Sequence, residues 1–283
     1  MLLWITGSKG QLGSSLVEKC EGITETIQTG REVNIGNPKE ISEFVKKHPG
    51  ITHIVNCAAF SEVDAAENLR EEACQTNAIG PENLGKIAKE MGAKFIHVST
   101  DYVFPGTGNC PLTEKDPVGP LSYYGITKLE GENRALDLDA LVIRASWVFG
   151  ANGKNFVSKL LKMLRTHKEV RLTDDQWGRF TYAYDLADAI LNLLNQNGLY
   201  HFANAGVATR YEFGVAMKEE AYLLGFPILT ESLLPVAGST FKAPTKRPKY
   251  SALDTTKIES FIQIRYWRHA LKDFLCAQML TYS

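Results

Sequence analysis

The feature that most constrains the fold of this chain is a glycine-rich segment between its first apolar run and its first helical pattern. The apolar run covers residues 2–6, and the pattern Gly7-x-x-Gly10-x-x-Gly13 follows it. Between a strand and a helix, glycines at this spacing permit a tight turn, a close approach of the backbone to a pyrophosphate and close packing of helix on strand. The helix then offers free N–H groups to phosphates. The pattern predicts a βαβ fold and a dinucleotide site, against the alternative of a glycine-rich turn that binds nothing.

Strand-like and helix-like segments alternate through the first half of the chain. The predicted strands cover residues 2–6, 25–29, 53–57, 94–99 and 140–144, and the predicted helices cover residues 11–20, 38–48, 77–91 and 124–136. Strands that alternate with helices of this length form βαβ units and a parallel sheet. The predicted fold class is therefore α/β, with a Rossmann-type doubly wound parallel sheet that binds ligands at the carboxyl ends of its strands.

After Gly150 the alternation becomes less regular. Residues 226–250 are rich in Pro, Thr and Ser and are predicted to be irregular. We expect residues 1–150 to form an NAD(P)-binding Rossmann domain, to which segments around 181–204 return, and residues 151–283 to form mainly a smaller C-terminal substrate lobe. The later predictions are helices over residues 156–166, 182–195, 210–224 and 267–280 and a strand over residues 199–203.

Composition and charge exclude several classes of function. The 283 residues carry a formal net charge of -1 and no basic run interleaved with aromatic residues, so we expect no nucleic-acid partner. No apolar run approaches the roughly 18 residues of a membrane span, and the N-terminus reads as a strand rather than a signal peptide. Five scattered cysteines suit a reducing cytosol, and the six histidines include no pair at metal-ligand spacing. We expect a cytoplasmic protein without a membrane partner or a zinc site; another divalent metal and a homodimer are left open.

Tyr124 and Lys128 lie four residues apart in a predicted helix, so both side chains share one face. An ordinary Tyr titrates near pH ~10, and an adjacent ammonium favours its phenolate. The pair can therefore move a proton near neutral pH, although this spacing also arises by chance on solvated helices. Tyr123 has no lysine at this spacing and is expected to pack or to line the substrate site.

Ser99 and Thr100 follow the fourth predicted strand, at the sheet edge where a nicotinamide is expected. Capping of the strand end is their alternative role. Together with the helix pair, a hydroxyl here predicts redox chemistry on a carbonyl or an alcohol. Thr100 is expected to hydrogen-bond the substrate oxygen, Tyr124 to donate the proton, and Lys128 to lower the Tyr124 pKa and hold the nicotinamide ribose.

Residues after the second predicted strand bear on the choice of dinucleotide. An acid there holds the ribose 2′-OH of NAD, whereas a base accommodates the 2′-phosphate of NADP. Arg31 follows the strand directly, and Lys9 lies in the glycine segment. Both favour NADPH, whereas Glu32 is the competing observation and leaves NADH open. Solvated surface charges are the alternative role of Arg31 and Lys9.

Several further motifs carry a resemblance to a known family. Gly-x-x-Gly-x-x-Gly with Tyr-x-x-x-Lys is similar to the extended short-chain dehydrogenases/reductases, and the chain resembles the dTDP-4-dehydrorhamnose reductases among them. The likeness spans nearly the whole chain and includes a motif that generic dehydrogenases lack, Arg247-Pro-Lys-Tyr-Ser-Ala-Leu-Asp254. The other matching segments cover residues 56–67, 99–104, 124–132, 144–150 and 176–187.

This resemblance implies reduction of dTDP-4-dehydro-L-rhamnose to dTDP-L-rhamnose with NADPH or NADH. Carried over by position, the catalytic residues are Thr100, Tyr124 and Lys128. The implied substrate-binding residues are Thr100, Asp101, Tyr102 and Trp147. The cofactor-binding residues, from the motifs and the resemblance together, are Gly7, Gly10, Gln11, Leu12, Gly13, Arg31, Asn34, Ile35, Ala58, Ala59, Ser99, Tyr124 and Lys128.

The chain departs from the family pattern at three positions. Asn34 stands near the adenine where the family usually has an acid, Phe180 where it has proline, and Cys57 where it has alanine. Two other functions stay open beside the reductase. One is a non-catalytic NADP-binding module similar to the regulatory subunit of methionine adenosyltransferase, and the other is an epimerase or reductase of another nucleotide sugar.

Overall fold

The structure, a computed structural model, describes residues 1–153 and 155–280. The strands are β1 (Leu2–Thr6), β2 (Glu25–Thr29), β3 (His53–Asn56), β4 (Lys94–Thr100), β5 (Leu141–Ala145), β6 (Val148–Phe149), β7 (Glu169–Thr173), β8 (Trp177–Gly178), β9 (Thr181–Tyr182), β10 (Gly198–Phe202), β11 (Ala208–Thr209) and β12 (Ser232–Val236). The helices are α1 (Gln11–Cys20), α2 (Pro38–Lys46), α3 (Arg70–Cys74), α4 (Gly80–Met91), α5 (Tyr123–Leu136), α6 (Phe156–Thr166), α7 (Ala183–Leu193), α8 (Arg210–Leu223) and α9 (Trp267–Leu280).

The main sheet has six parallel strands in the order β10-β5-β4-β3-β1-β2. Successive side chains of β1 point to opposite faces, so Ile5 packs against α1 and α7 while Trp4 packs against α2 and α4. Both faces are thereby buried, which is why the central strands β1, β3 and β5 are mostly apolar, whereas the edge strand β2 is largely polar. The predicted α/β fold with a doubly wound parallel sheet is confirmed.

The strand order reverses at β1. The chain passes from β1 to β2 on one side, and later strands add on the other side beginning with β3. Ligands of open α/β sheets bind in the crevice at such a reversal, outside the carboxyl ends of the strands. The loops after β1 and β3 therefore flank the binding crevice.

A second apolar core forms beside the sheet from α6, α8, α9 and short strand pairs. Phe149, Leu160, Phe213, Met217 and Phe274 are fully buried in it. The pairs are β6 with β9, β8 with β11, and β7 with β12. Two elements from the second half of the chain return to the main sheet. The helix α7 packs on α1, and β10 forms one edge of the sheet. The division of the chain at residue 150 stays a prediction.

One predicted irregular segment contains a strand. β12 pairs in parallel with β7 from Ser232↔Glu169 to Val236↔Thr173. Pro235 lacks an N–H and argued against a strand, but a two-stranded sheet leaves one side of each strand free of ladder hydrogen bonds, where proline is tolerated. Within the described residues no helix is long and apolar enough to cross a bilayer.

Candidate active site

The glycine segment forms a tight turn against the loop that follows β3. Gly7 has a φ of +63°, and a Cβ on it would lie 2.6 Å from the Ala58 backbone nitrogen. A Cβ on Gly13 would lie 2.3 Å from the Gly7 carbonyl oxygen. No described side chain caps α1 after Gly10, and no acidic residue lies in its first turn. The helix therefore presents free N–H groups at the crevice.

A cavity of about 990 Å³ extends from this turn past the end of β2. Arg31 is exposed on its wall, with Lys9 nearby. The carboxylate of Glu32 accepts a 2.6 Å hydrogen bond from the Gly30 N–H, and this bond lowers the Glu32 pKa. The Glu32 carboxylate is thus hydrogen-bonded within its own loop. Among the described residues, no acid forms an ion pair with Arg31.

Asn34 and Ile35 line the same cavity. The Asn34 Oδ1 accepts a 2.9 Å hydrogen bond from the Gly36 N–H, so its side chain caps its own loop. Ile35 is buried, and its Cδ1 would lie 2.6 Å from a Cβ on Gly80. The asparagine that replaces the usual acid therefore shapes the loop through this turn.

A second cavity of about 350 Å³ continues from the first and shares Cys57, Ala58 and Ala59 with it. It lies at the carboxyl ends of β4 and β5, with α5 on one side. Burial raises the pKa of the Cys57 thiol to about 12, so this departure from alanine adds a neutral group. The residues from the sequence prediction that line this cavity are Gln11, Leu12, Ala58, Ala59, Ser99, Thr100, Asp101, Tyr102, Tyr124, Lys128 and Trp147.

Thr100 and Tyr124 meet in this smaller cavity. The Thr100 hydroxyl accepts a 3.3 Å hydrogen bond from the Tyr102 N–H and donates to Asp101 Oδ1 at 3.2 Å. The Tyr102 ring lies edge-on to that of Tyr124, with centroids 5.5 Å apart. Burial raises the Tyr124 pKa above its ordinary value, and hydrogen bonding to Thr100 opposes this shift. The phenol is thereby kept protonated.

Lys128 reaches the sheet instead of solvent. Its Nζ donates a 2.7 Å hydrogen bond to the Val98 carbonyl oxygen and lies 3.5 Å from His97 Nε2. The residue is buried, and burial lowers its pKa to about 8. The expected lowering of the Tyr124 pKa by this lysine is not seen, because desolvation dominates both groups.

Asp101 is held by a residue from the far end of the chain. Its Oδ2 accepts a 2.6 Å hydrogen bond from the Ser251 hydroxyl. Burial raises the Asp101 pKa to about 6, and the hydrogen bonds from Ser251 and Thr100 oppose this shift. Ser251 belongs to the motif that begins at Arg247, and Arg247 donates a 2.9 Å hydrogen bond to Asp64 Oδ2. The C-terminal motif therefore packs behind Asp101 and helps to hold it at the site.

Trp147, Phe180 and Arg210 also line the smaller cavity. Trp147 has a φ of +46°, a conformation that L side chains rarely adopt and that recurs at ligand sites. Phe180 is buried between Trp147 and Phe213, with ring centroids 4.8 Å and 3.7 Å away. The phenylalanine that replaces proline thus supports the tryptophan and also reaches the cavity.

The Arg210 guanidinium stacks on two aromatic rings, 4.7 Å from the Trp147 centroid and 4.5 Å from the Phe156 centroid. Burial lowers its pKa, while Tyr102 and Asp101 oppose the shift. The sequence analysis did not select Arg210. It lies at the start of α8, more than a hundred residues from the other cavity residues on β4, and no local motif marks it.

Two asparagines outside the predicted set organise the site. Asn77 hydrogen-bonds both backbone groups of Phe60 at 2.8 Å and 3.1 Å and donates to Thr127 Oγ1 at 3.2 Å. It lies in a π-helical segment, Gln75–Ile79, which widens the turn before α4. Asn56 ends β3, and its Oδ1 accepts from the Thr6 hydroxyl and the Ala58 N–H. A polar residue at the end of an otherwise apolar strand is the signal that identifies Asn56.

The geometry fits a dinucleotide. Two glycines leave space that a Cβ would fill, and α1 offers uncapped N–H groups to phosphates. Ser99 Oγ and Gln11 Oε1 are buried without a hydrogen-bond partner within residues 1–153 and 155–280. Buried polar groups of this kind are normally satisfied, and a bound ligand can do so. Among the described residues, no cluster of three or more His, Cys, Asp or Glu is arranged to hold a metal.

The parallel sheet, the glycine turn and the Thr, Tyr and Lys side chains define a Rossmann-type short-chain dehydrogenase/reductase. A family model described as RmlD substrate binding domain matches residues 1–279. A Bacillus subtilis spore coat polysaccharide biosynthesis protein, SpsK, is 37% identical and aligns with 96% of this chain and 95% of its own. The chain therefore belongs to the RmlD substrate binding domain family, the family of the dTDP-4-dehydrorhamnose reductases, which are NAD(P)H-dependent oxidoreductases.

Solved structures agree with this assignment. A dTDP-4-dehydrorhamnose reductase of Clostridium acetobutylicum is 34% identical, with a TM-score of 0.92 and coverage of 99% of this chain and 100% of that chain. The same enzyme of Bacillus anthracis, solved in complex with NADP, is 30% identical, with a TM-score of 0.90 and coverage of 98% and 99%. The resemblance inferred from the motifs is confirmed.

Proposed function

We propose that the protein reduces the C4 ketone of dTDP-4-dehydro-L-rhamnose to the hydroxyl of dTDP-L-rhamnose. The observation that carries this proposal is that Thr100, Tyr124 and Lys128 line one cavity, which continues into the cavity beside the glycine turn. Family membership supports the substrate class, because the two solved relatives described above are dTDP-4-dehydrorhamnose reductases.

The residues of this chain have distinct tasks in the proposed reaction. The dinucleotide, when bound, supplies the hydride that attacks C4 of the sugar. The electron pair of the C=O bond then moves to oxygen, which takes the hydroxyl proton of Tyr124. A phenol whose pKa is raised by burial carries its proton before the reaction, and it can give that proton to the much more basic alkoxide oxygen that hydride transfer creates. Thr100 orients the ketone oxygen, and Lys128 holds the ribose of the cofactor.

Binding of the nucleotide sugar is assigned to the walls of the smaller cavity. Asp101 and Tyr102 contact the sugar, and Trp147 packs against its ring. Arg210 adds a fixed guanidinium, a group suited to a phosphate oxygen because its N–H groups form a planar fork. The guanidinium is oriented by its stacking on Trp147 and Phe156. Among the described residues, no carboxylate forms an ion pair with it.

NADPH is the proposed hydride donor. The relative from Bacillus anthracis was solved with NADP. Arg31 is exposed at the cavity, whereas Glu32 is turned onto Gly30. This arrangement offers a cation to a 2′-phosphate and withdraws the acid that would hold a 2′-OH.

The test is oxidation of NADPH, followed at 340 nm, a wavelength set by the reduced nicotinamide, with enzymatically made dTDP-4-dehydro-L-rhamnose. Tyr124→Phe should lower kcat by about 100-fold or more, because the proton donor is removed, while the Kd of NADPH stays nearly unchanged. Tyr123→Phe is the matched control, because that ring packs against Arg70 and does not line the cavity. Normal turnover by Tyr124→Phe contradicts the mechanism. Absence of turnover in the unaltered protein contradicts the function and favours a non-catalytic dinucleotide-binding module.

A further inference from the structure

A row of buried polar side chains crosses the sheet beneath the active site. Thr6 Oγ1 donates to Asn56 Oδ1 at 2.7 Å, and Asn56 Nδ2 lies 3.1 Å from His97 Nδ1. His97 Nε2 lies 3.5 Å from Lys128 Nζ. All four residues are at most 2% exposed. The row therefore joins the strand before the glycine turn to the lysine of the active site.

The orientation of the Asn56 amide determines where His97 carries its proton. Two donors, the Thr6 hydroxyl and the Ala58 N–H, converge on Asn56 Oδ1 at 2.7 Å and 3.1 Å. The other end of the amide is therefore its NH₂ group, which donates to His97 Nδ1. A neutral imidazole that accepts at Nδ1 carries its hydrogen on Nε2. The hydrogen-bond network thus turns an N–H of His97 towards Lys128.

An N–H that faces an amine favours the neutral amine, because an ammonium presents only donors. Lys128 Nζ already donates to the Val98 carbonyl oxygen at 2.7 Å, so its remaining positions face His97 and the cavity. We propose that His97 is a positioning residue for the reduction, which acts through Lys128 by presenting an Nε2–H that orients the lysine amine and disfavours its protonation. This inference rests on the proposed function, since the reductase gives Lys128 its task.

His97 is the side chain of the sheet that lies beside Lys128 Nζ, at 3.5 Å. Cys57 from the loop after β3 and Glu132 from α5 both favour the ammonium, and burial opposes it. Glu132 is itself paired with Arg144 of β5 at 2.9 Å, which weakens its effect on the lysine. Tyr124 lies one turn earlier on α5. Burial and Lys128 together hold the His97 pKa well below its ordinary value, so the imidazole stays neutral.

The decisive measurement is the titration of Lys128 by ¹³C NMR in protein labelled at lysine Cε, with the signal assigned by its loss in Lys128→Met. His97→Asn keeps an acceptor for Asn56 and removes the group that reaches Lys128. We expect the titration midpoint of Lys128 to rise by about one pH unit in this variant. His53→Asn is the matched control, since His53 is a buried histidine at the opposite end of the neighbouring strand β3. The Lys128 midpoint in this variant should equal that in the unaltered protein.

An unchanged Lys128 midpoint in His97→Asn contradicts the proposal. A second readout needs no variant: ¹⁵N NMR of labelled histidine should show His97 as the Nε2–H tautomer, and the Nδ1–H tautomer overturns the inference. Both measurements decide the role of His97 whether or not turnover is found. In an active enzyme, the alkaline limb of kcat against pH should shift upwards with the Lys128 midpoint, and the His97 tautomer separates this role from a loss of packing, which would not select one ring nitrogen.

Discussion

The Ser251 hydroxyl donates a 2.6 Å hydrogen bond to the Oδ2 of Asp101, a residue 150 positions earlier in the chain. This contact joins the end of β4 to the segment that follows Arg247. Both residues are buried, so the carboxylate depends on protein donors rather than on water. The bond thereby couples the protonation of an active-site acid to the placement of the C-terminal motif.

The pH dependence of stability should report this acid. Burial raises the Asp101 pKa from 3.8 to about 6, so the native state binds the proton more tightly than the unfolded state. The contribution of Asp101 to the free energy of unfolding is therefore fully present below pH 3.8 and is lost as the pH rises through 6. Relative to Asp101→Asn, the unaltered protein should lose about 2 kcal/mol of unfolding free energy between about pH 4 and about pH 7.

Urea denaturation at each pH measures this difference. Asp116→Asn provides a control of opposite sign, because hydrogen bonds from Thr113 lower the pKa of that half-buried acid. Its contribution is present at neutral pH and is lost as pH falls. If the unfolding free energies of the unaltered protein and Asp101→Asn differ by the same amount at every pH, the result contradicts a buried carboxyl that titrates in this range.

Gly13→Ala should disturb the dinucleotide turn. The new Cβ would lie 2.3 Å from the Gly7 carbonyl oxygen, and the next nearest atoms, Ser8 Cα and the Gly7 carbonyl carbon, are also backbone, so no flexible group can yield. We expect a loss of about 1–3 kcal/mol of unfolding free energy, together with weaker NADPH binding measured by fluorescence. Gly50→Ala is the control, because its Cβ would meet only a Leu2 methyl at 3.6 Å. Equal behaviour of the two variants argues against the close approach.

Arg31→Ala should change the preference between the two dinucleotides. Removal of a charge-assisted contact to a 2′-phosphate should raise the Kd of NADPH by about tenfold, while the Kd of NADH changes little. Isothermal titration with each cofactor gives both values. Lys39→Ala removes an exposed cation on α2 and should leave the ratio unaltered. Equal weakening of both cofactors by Arg31→Ala rejects its role at the phosphate.

Arg210→Lys should impair binding of the nucleotide sugar more than binding of NADPH. The lysine keeps the charge and loses the planar group that stacks 4.5 Å from the Phe156 centroid. We expect KM for the sugar to rise by about tenfold or more, with the Kd of NADPH nearly constant. Arg171→Lys, an exposed change on β7, serves as the control. An unaltered KM in Arg210→Lys removes this arginine from the substrate site.

Much of the scaffold was predictable because its signals are local. The strand over residues 25–29 coincides with β2. The helix over residues 156–166 coincides with α6, since its buried residues recur at helical spacing within its own length. The pair of Tyr124 and Lys128 was visible for the same reason, as one helical turn brings them to one face. Ser232–Val236 was missed, because its pairing with β7 depends on a strand about sixty residues away.

The sequence by itself determined the parallel α/β sheet, the glycine turn and the tyrosine and lysine on α5, because periodicity and backbone sterics act over a few residues. Only the tertiary structure decided that Ser251 meets Asp101, that Arg210 stacks on Trp147 and that Lys128 lies beside His97. These contacts join residues far apart in sequence. They follow from packing and from desolvation in a shared cavity, and neither leaves a periodic signal in the chain.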